Sequence, residues 1–299
     1  MGAMKPFGDR LVEAIRAKGN PCVVGLDPRV NLMPEFVKSG SAASTITYFH
    51  ELVLDAVAGL VPVVKPQLAF FEQYGKAGIE AFENTVRAAK QRGLLVIADG
   101  KRNDISSTAE AYAEAFLGEG AFDADAMTVT PYLGRDSLAP FVNACKQHGK
   151  GLFVLLKTSN PGSKDFQDQI LQSTGRPLYE SIAASIDELG KGLVGAEGYS
   201  SIGAVVGATF PEEGRRLRML MPRAYILVPG YGAQGGGARD AAVCFNDDGL
   251  GAVVSSSRGI TYSFGSPDVS REAFQRSVRD NTLRMIEDVN AAVKSSVAT

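Results

Sequence analysis

The sequence predicts a single-domain (β/α)8 TIM barrel, and three observations carry that prediction. Eight short apolar, β-branched runs recur along the 299 residues. Segments with helical spacing of apolar residues alternate with them. The runs are apolar throughout rather than alternating, as strands covered by helices are. A chain of this length suits one barrel or two average domains. No linker, repeat or low-complexity tract divides it, so one domain over 1–299 is expected. A doubly wound sheet would more usually have five to seven strands and a glycine-rich fingerprint after the first; GLDPR stands there instead.

The elements follow in order. MGAM (1–4) reads as a cloning remnant, with Met4 as a native start. FGDRLVEAIRAKG (7–19) is helical and stops at glycine, before the first strand, PCVVGLD (21–27). TITYFHELVLDAVAGL (45–60) repeats apolar residues at three and four, and VPVVKPQ (61–67) is the second strand. AGIEAFENTVRAAKQRG (77–93) leads to LLVIADGK (94–101), and STAEAYAEAFLGEG (107–120) to DAMTVTP (125–131). SLAPFVNACKQHG (137–149) precedes GLFVLLKT (151–158), and a long helical stretch is expected from about 164 to 190. The last strands are SIGAVVGAT (201–209), AYILVPG (224–230) and GAVVSSS (251–257), with PEEGRRLRMLM (211–221) after the sixth. SREAFQRSVRDNTLRMIEDVNAAVKSS (270–296) is a terminal helix, and 295–299 are expected to fray.

Composition excludes several classes of function. With 31 basic and 33 acidic residues there is no excess positive charge for nucleic acid. No apolar run approaches a membrane span, and the first ten residues lack a signal peptide's apolar stretch. Three cysteines without CxxC spacing argue against a disulfide framework and suit a reducing cytoplasm. The two histidines, His50 and His148, are too far apart in sequence to suggest a zinc site, so no metal is expected.

In a barrel, chemistry gathers at the C-terminal ends of the strands. Polar residues in the apolar runs fall there: Asp27, Lys65, Asp99, Lys101, Lys157, Thr158 and Ser159. Asp99 and Lys101 are two apart, on one face of a strand, with Lys65 on the neighbouring strand and Asp104 three residues further on. Buried charges need partners. These four compose either an alternating Lys–Asp–Lys–Asp catalytic array or a plain ion-pair network closing the barrel end. PGYGAQGGGARD (229–240) lets backbone N–H groups approach an anion, and Arg258 offers a bidentate fork. Loops after strands seven and eight are the usual phosphate site of this fold. SNPGSKD (159–165) has the chemistry of either a lid or an ordinary surface loop.

The stretch DGKRNDISSTAEAY (99–112) resembles the signature of the orotidine 5′-phosphate decarboxylases, Asp-x-Lys-x-x-Asp-Ile followed by Thr. GLDPR, VVKPQLAFFE, VTPYLG, KTSNPG, VPGYGAQGG and SSSRGI resemble further segments of that family, in family order; the forms KPQLAFFE and SSSRGI suggest its longer bacterial subfamily. The resemblance implies that Lys65, Asp99, Lys101 and Asp104 are the catalytic array. It implies that Asp104 and Thr108 serve the partner subunit's site in a homodimer. It further implies that Asp27 binds ribose hydroxyls, Ser159 the pyrimidine, and Gln234 and Arg258 the phosphate. Further phosphate contacts within 236–250 stay open.

The expected reaction is cofactor-independent conversion of orotidine 5′-phosphate to uridine 5′-phosphate and CO2, the last step of de novo UMP synthesis. Three alternatives are carried: a Mg²⁺-dependent phosphosugar decarboxylase or synthase of the same superfamily, a Schiff-base aldolase, and an inactive nucleotide-binding barrel. Flanking carboxylates keep a lysine charged, which argues against the aldolase.

Overall fold

The computed structural model describes residues 4–38, 40–232 and 235–297. The eight apolar runs form eight strands: β1 (Cys22–Leu26), β2 (Val63–Pro66), β3 (Leu95–Arg102), β4 (Ala126–Val129), β5 (Gly151–Lys157), β6 (Ser200–Val206), β7 (Ala224–Val228) and β8 (Ala252–Ser256). Each pairs in parallel with its sequence neighbours, and β8 returns to β1 through Val24↔Ser256, closing the barrel. The observed strands lie inside the expected runs or extend one residue beyond them.

Alternation divides the side chains into two cores. Val23, Val63, Ile97, Phe153, Leu227 and Val253 fill the barrel interior. Val24, Val64, Val96, Met127 and Val154 face outward, against the surrounding helices. Those helices are α1 (Phe7–Lys18), α2 (Ala42–Val57), α3 (Leu68–Glu72), α4 (Gly75–Gln91), α5 (Ser106–Leu117), α6 (Arg135–His148), α7 (Leu178–Gly190), α8 (Pro211–Leu220), α9 (Ala238–Ala242), α10 (Arg258–Thr261) and α11 (Arg271–Val297). α1 belongs to the interior core instead. Its Phe7, Leu11 and Ile15 plug the N-terminal end of the barrel, with the Phe7 ring edge-on to Phe153 at 6.0 Å. Asp9 accepts the N–H groups of Ala196 and Glu197, fixing the plug in place. One end of the barrel is therefore shut, and the site is left to the other.

The helical stretch expected from 164 to 190 is corrected: only Leu178–Gly190 is α-helix. Before it the chain makes a 3-10 turn over Pro161–Asp165 and a small hairpin pairing Ile170–Leu171 with Arg176–Pro177. Gly175, with φ +64°, turns that hairpin, and Pro177 immediately precedes the helix. At the C-terminus α11 continues through Val297, so residues 295–297 are helical where fraying was expected. Residues 298–299 lie outside the described residues.

Candidate active site

A cavity of about 780 Å³ opens at the C-terminal ends of the strands. Its floor is apolar, with Leu155, Val205 and Leu227, and its wall carries Asp27, Lys65, Asp99 and Lys101. Lys65 Nζ lies 2.7 Å from Asp99 Oδ2, and Lys101 Nζ lies 2.6 Å from Asp99 Oδ1. Two ammonium groups thus converge on one carboxylate buried at 6% exposure. Burial alone would raise the Asp99 carboxyl; Lys65 and Lys101 outweigh it and hold the group well below the usual carboxylate range. Burial alone would depress the Lys65 ammonium, but Asp99 and Asp27 beside it raise it above its ordinary value.

The backbone carrying this pair is not regular. Ala98 pairs with Met127 and Arg102 with Val129, so four steps on β3 face two on β4. Within that irregularity Lys101 has φ +49°, a conformation that non-glycine residues adopt at a cost. Gly100, just before it, leaves room for Leu68, whose Cδ1 would stand 2.6 Å from a Cβ there. Strict strand alternation is therefore not what joins Asp99 to Lys101; a bulged strand end does.

Asp104 does not join the three. It is absent from the cavity wall, and its Oδ1 accepts the N–H of Ile105 at 2.8 Å. The four-charge array expected from sequence is thus a three-charge array within one chain. Thr108 lies exposed on the first turn of α5. Asp27 Oδ2 accepts from Ser257 Oγ at 2.6 Å, while its buried Oδ1 has no hydrogen-bond partner among the described residues.

Ser159 and Arg258 both line the cavity. Arg258 follows β8 and forms no salt bridge with a described residue. The loop after β7 bends through Gly230 and Gly232, both at positive φ, and Tyr231 Oη ties it to Asp288 Oδ2 of α11 at 2.7 Å. Gln234 lies outside the described residues. The segment after β5 is organised by its own contacts. Thr158 N donates to Gln167 Oε1 at 3.0 Å and Gln167 Nε2 to Thr158 Oγ1 at 2.8 Å. Wholly buried Lys157 pairs with Asp168, its Nζ 4.6 Å from the Phe210 ring centroid. Gly162, Ser163 and Phe166 from this segment reach the cavity mouth.

Sequence reasoning missed three residues of the wall. Gln67 Nε2 donates to Asp99 Oδ2 at 3.0 Å, and Thr128 Oγ1 donates to Asp99 Oδ1 at 2.9 Å. Arg29 lies over the Phe70 ring at 4.6 Å. Gln67 stands two residues after Lys65, a spacing that signalled it; nothing in the sequence around Thr128 did.

Fold and site together define the class: a (β/α)8 barrel with a lysine–carboxylate–lysine array inside its open end and a cationic, glycine-rich rim. The family model for "Orotidine 5'-phosphate decarboxylase / HUMPS family" matches residues 43–273. An orotidine 5′-phosphate decarboxylase of Rhodopirellula baltica is 46% identical over 96% of this chain and 99% of its own length. One of Caldicellulosiruptor saccharolyticus is 40% identical over 97% and 100%. Among solved structures, the Leishmania donovani OMP decarboxylase superposes with a TM-score of 0.76 at 30% identity, covering 97% of this chain and 99% of that one. The chain belongs to the orotidine 5′-phosphate decarboxylase family.

Proposed function

We propose that this protein decarboxylates orotidine 5′-phosphate to uridine 5′-phosphate and CO2 in UMP biosynthesis. Family membership supports this reading, and one observation carries its chemistry: Lys65 and Lys101 bonded to the same buried Asp99 at the cavity wall. Breaking the bond from C6 to the carboxylate leaves an electron pair in the ring plane, where the π system cannot spread it. A cation set beside C6 lowers that barrier electrostatically. Lys101 supplies the cation and then the proton: a C6–H bond forms, Lys101 becomes a neutral amine, and solvent reprotonates it. Asp99 faces the departing carboxylate, and Lys65 keeps Asp99 ionised. Asp27, whose Oδ1 has an open acceptor position, takes a ribose hydroxyl. Ser159 contacts the pyrimidine, and Arg258 with Gln234 holds the phosphate. Phosphate binding at a distance from C6 favours a closed, water-poor site.

The working unit is a homodimer in which Asp104 and Thr108 serve the partner's site. Its setting is the cytoplasm, in keeping with Cys22, Cys145 and Cys244, all buried free thiols. The test is the loss of orotidine 5′-phosphate absorbance catalysed by purified protein, with and without EDTA. Turnover unaffected by EDTA is expected. Turnover abolished by EDTA and restored by Mg²⁺ would favour a metal-dependent relative, and uridine phosphate binding without turnover an inactive barrel.

A further inference from the structure

The irregular end of β3 leaves backbone groups without strand partners, and one of them belongs to Lys101. That N–H donates to Thr128 Oγ1 at 2.9 Å. The same hydroxyl gives its single proton to Asp99 Oδ1, also at 2.9 Å. Its donor and an acceptor position are both engaged, one on each member of the reacting pair. Met127 and Val129 on either side face the outer helices, so alternation sends Thr128 inward, where it is 1% exposed and lines the cavity.

Asp99 itself is held by four donors, two on each oxygen. Lys101 and Thr128 meet Oδ1; Lys65 and Gln67 meet Oδ2. A carboxylate accepts about four hydrogen bonds, so this one is saturated and its plane is fixed. Two of its donors are cations and two are neutral. Lys101 gives up a proton during the reaction and loses its charge; the Thr128 hydroxyl and the Gln67 amide do not change. They are therefore the contacts that keep Asp99 aimed through the whole cycle.

We propose that Thr128 is the positioning residue of this site, setting both the left-handed Lys101 backbone and the Asp99 carboxylate, with Gln67 completing the hold on Asp99. The proposal rests on the decarboxylase reading above. Thr128→Val keeps the shape and removes only the hydroxyl. Its expected effect is a kcat lower by roughly 10- to 100-fold, as small misplacements of reacting groups produce. KM for orotidine 5′-phosphate and affinity for uridine 5′-phosphate should stay within about two-fold, because the hydroxyl's single proton is already given to Asp99. The acid limb of the kcat profile should move to higher pH, since Asp99 loses a donor that favours its charged form. Thr128→Ser, which keeps the hydroxyl, should recover most of kcat.

A merely structural threonine would lower the melting temperature and leave kcat of the folded enzyme and its acid limb in place. That result, in a preparation whose wild type turns over substrate, overturns this proposal alone. Serine failing to recover kcat overturns it as well. If the valine variant does not fold, Gln67→Met decides, because it removes one donor to Asp99 and leaves the bulge intact. A several-fold loss of kcat with an upward-moving acid limb supports the assignment, and an unchanged profile refutes it. A wild type without turnover overturns the decarboxylase reading, and this one with it.

Discussion

Lys101 is the residue on which the chemistry concentrates. Lys101→Ala removes both the cation beside C6 and the proton source, and kcat should fall by at least about 10⁴-fold. The variant should still fold and bind uridine 5′-phosphate, because 43% of the Lys101 side chain faces the open cavity rather than the core. Single-turnover assays on folded variant check this; near-wild-type rates would remove Lys101 from its role. The pair below it sets a pH window. Asp99 has its folded pKa held down, so its contribution to stability is complete above its unfolded value of about 4 and is lost on acidification from there. Lys65 has its folded pKa raised, so its contribution is complete below its unfolded value of about 10.4 and is lost as pH rises through the folded one. The stability difference between wild type and Asp99→Asn should therefore be flat from about pH 5 to 9 and shrink at lower pH; urea unfolding across that range measures it. Lys65, Asp99 and Lys101 were legible in the sequence because a charge in an apolar run requires an explanation. Thr128 was not, and Gln67 was signalled only by its spacing from Lys65. Threonine is ordinary in a strand, and the roles of both depend on where a neighbouring strand and its bulge place Asp99.

At the scale of elements, all eight strands were legible, because strands covered on both faces leave unbroken apolar runs between helices. The segment after β5 was not, because its order comes from contacts outside any periodic pattern. Lys157 ends β5 with its ammonium wholly buried between Asp168 and the rings of Phe210 and Tyr179. That ion pair and the reciprocal Thr158–Gln167 hydrogen bonds clasp the base of the segment, while Phe166 at its tip is 71% exposed and borders the cavity mouth. The segment is fastened at its base and borders the cavity, and whether it acts as a lid can be tested at Asp168. Asp168→Asn leaves Lys157 buried opposite a neutral amide. Breaking fully buried pairs costs roughly 3–5 kcal/mol. Asp168 keeps 32% of its side chain in water, which reduces the loss here to on the order of 2 kcal/mol. The loss should appear locally, as faster proteolysis within 158–170 and a several-fold higher KM for orotidine 5′-phosphate, with kcat changed less. Proteolysis and KM both at wild-type levels would mean that the clasp does not govern this segment and that the segment is not a lid fastened by it.

At the scale of the whole molecule, one chain does not complete the four-charge array. Asp104 follows β3, its Oδ1 accepting the N–H of Ile105 and its side chain outside the cavity lining. Ile105 beside it, and Tyr132 and Leu133 on the segment after the neighbouring strand β4, are exposed at 53%, 84% and 47%. The homodimer proposed above would cover these side chains. In an isologous dimer the same patch meets its own copy, and Asp104 of each chain can enter the other's cavity. The arrangement predicts complementation. Lys101→Ala and Asp104→Ala homodimers should each be inactive, the one lacking its own lysine and the other the partner's carboxylate. Mixed under conditions of subunit exchange, they form hybrid dimers. The site with intact Lys101 then receives intact Asp104 from the other chain, while its companion carries both lesions. An equal random mixture contains about half hybrids, each with one good site, so activity should recover to about a quarter of wild type. If Asp104 served its own chain, every site in the mixture would retain one lesion. Exchange verified by native mass spectrometry without recovered activity would then return Asp104 to its own barrel, leaving the Lys65–Asp99–Lys101 array to act without a carboxylate from outside.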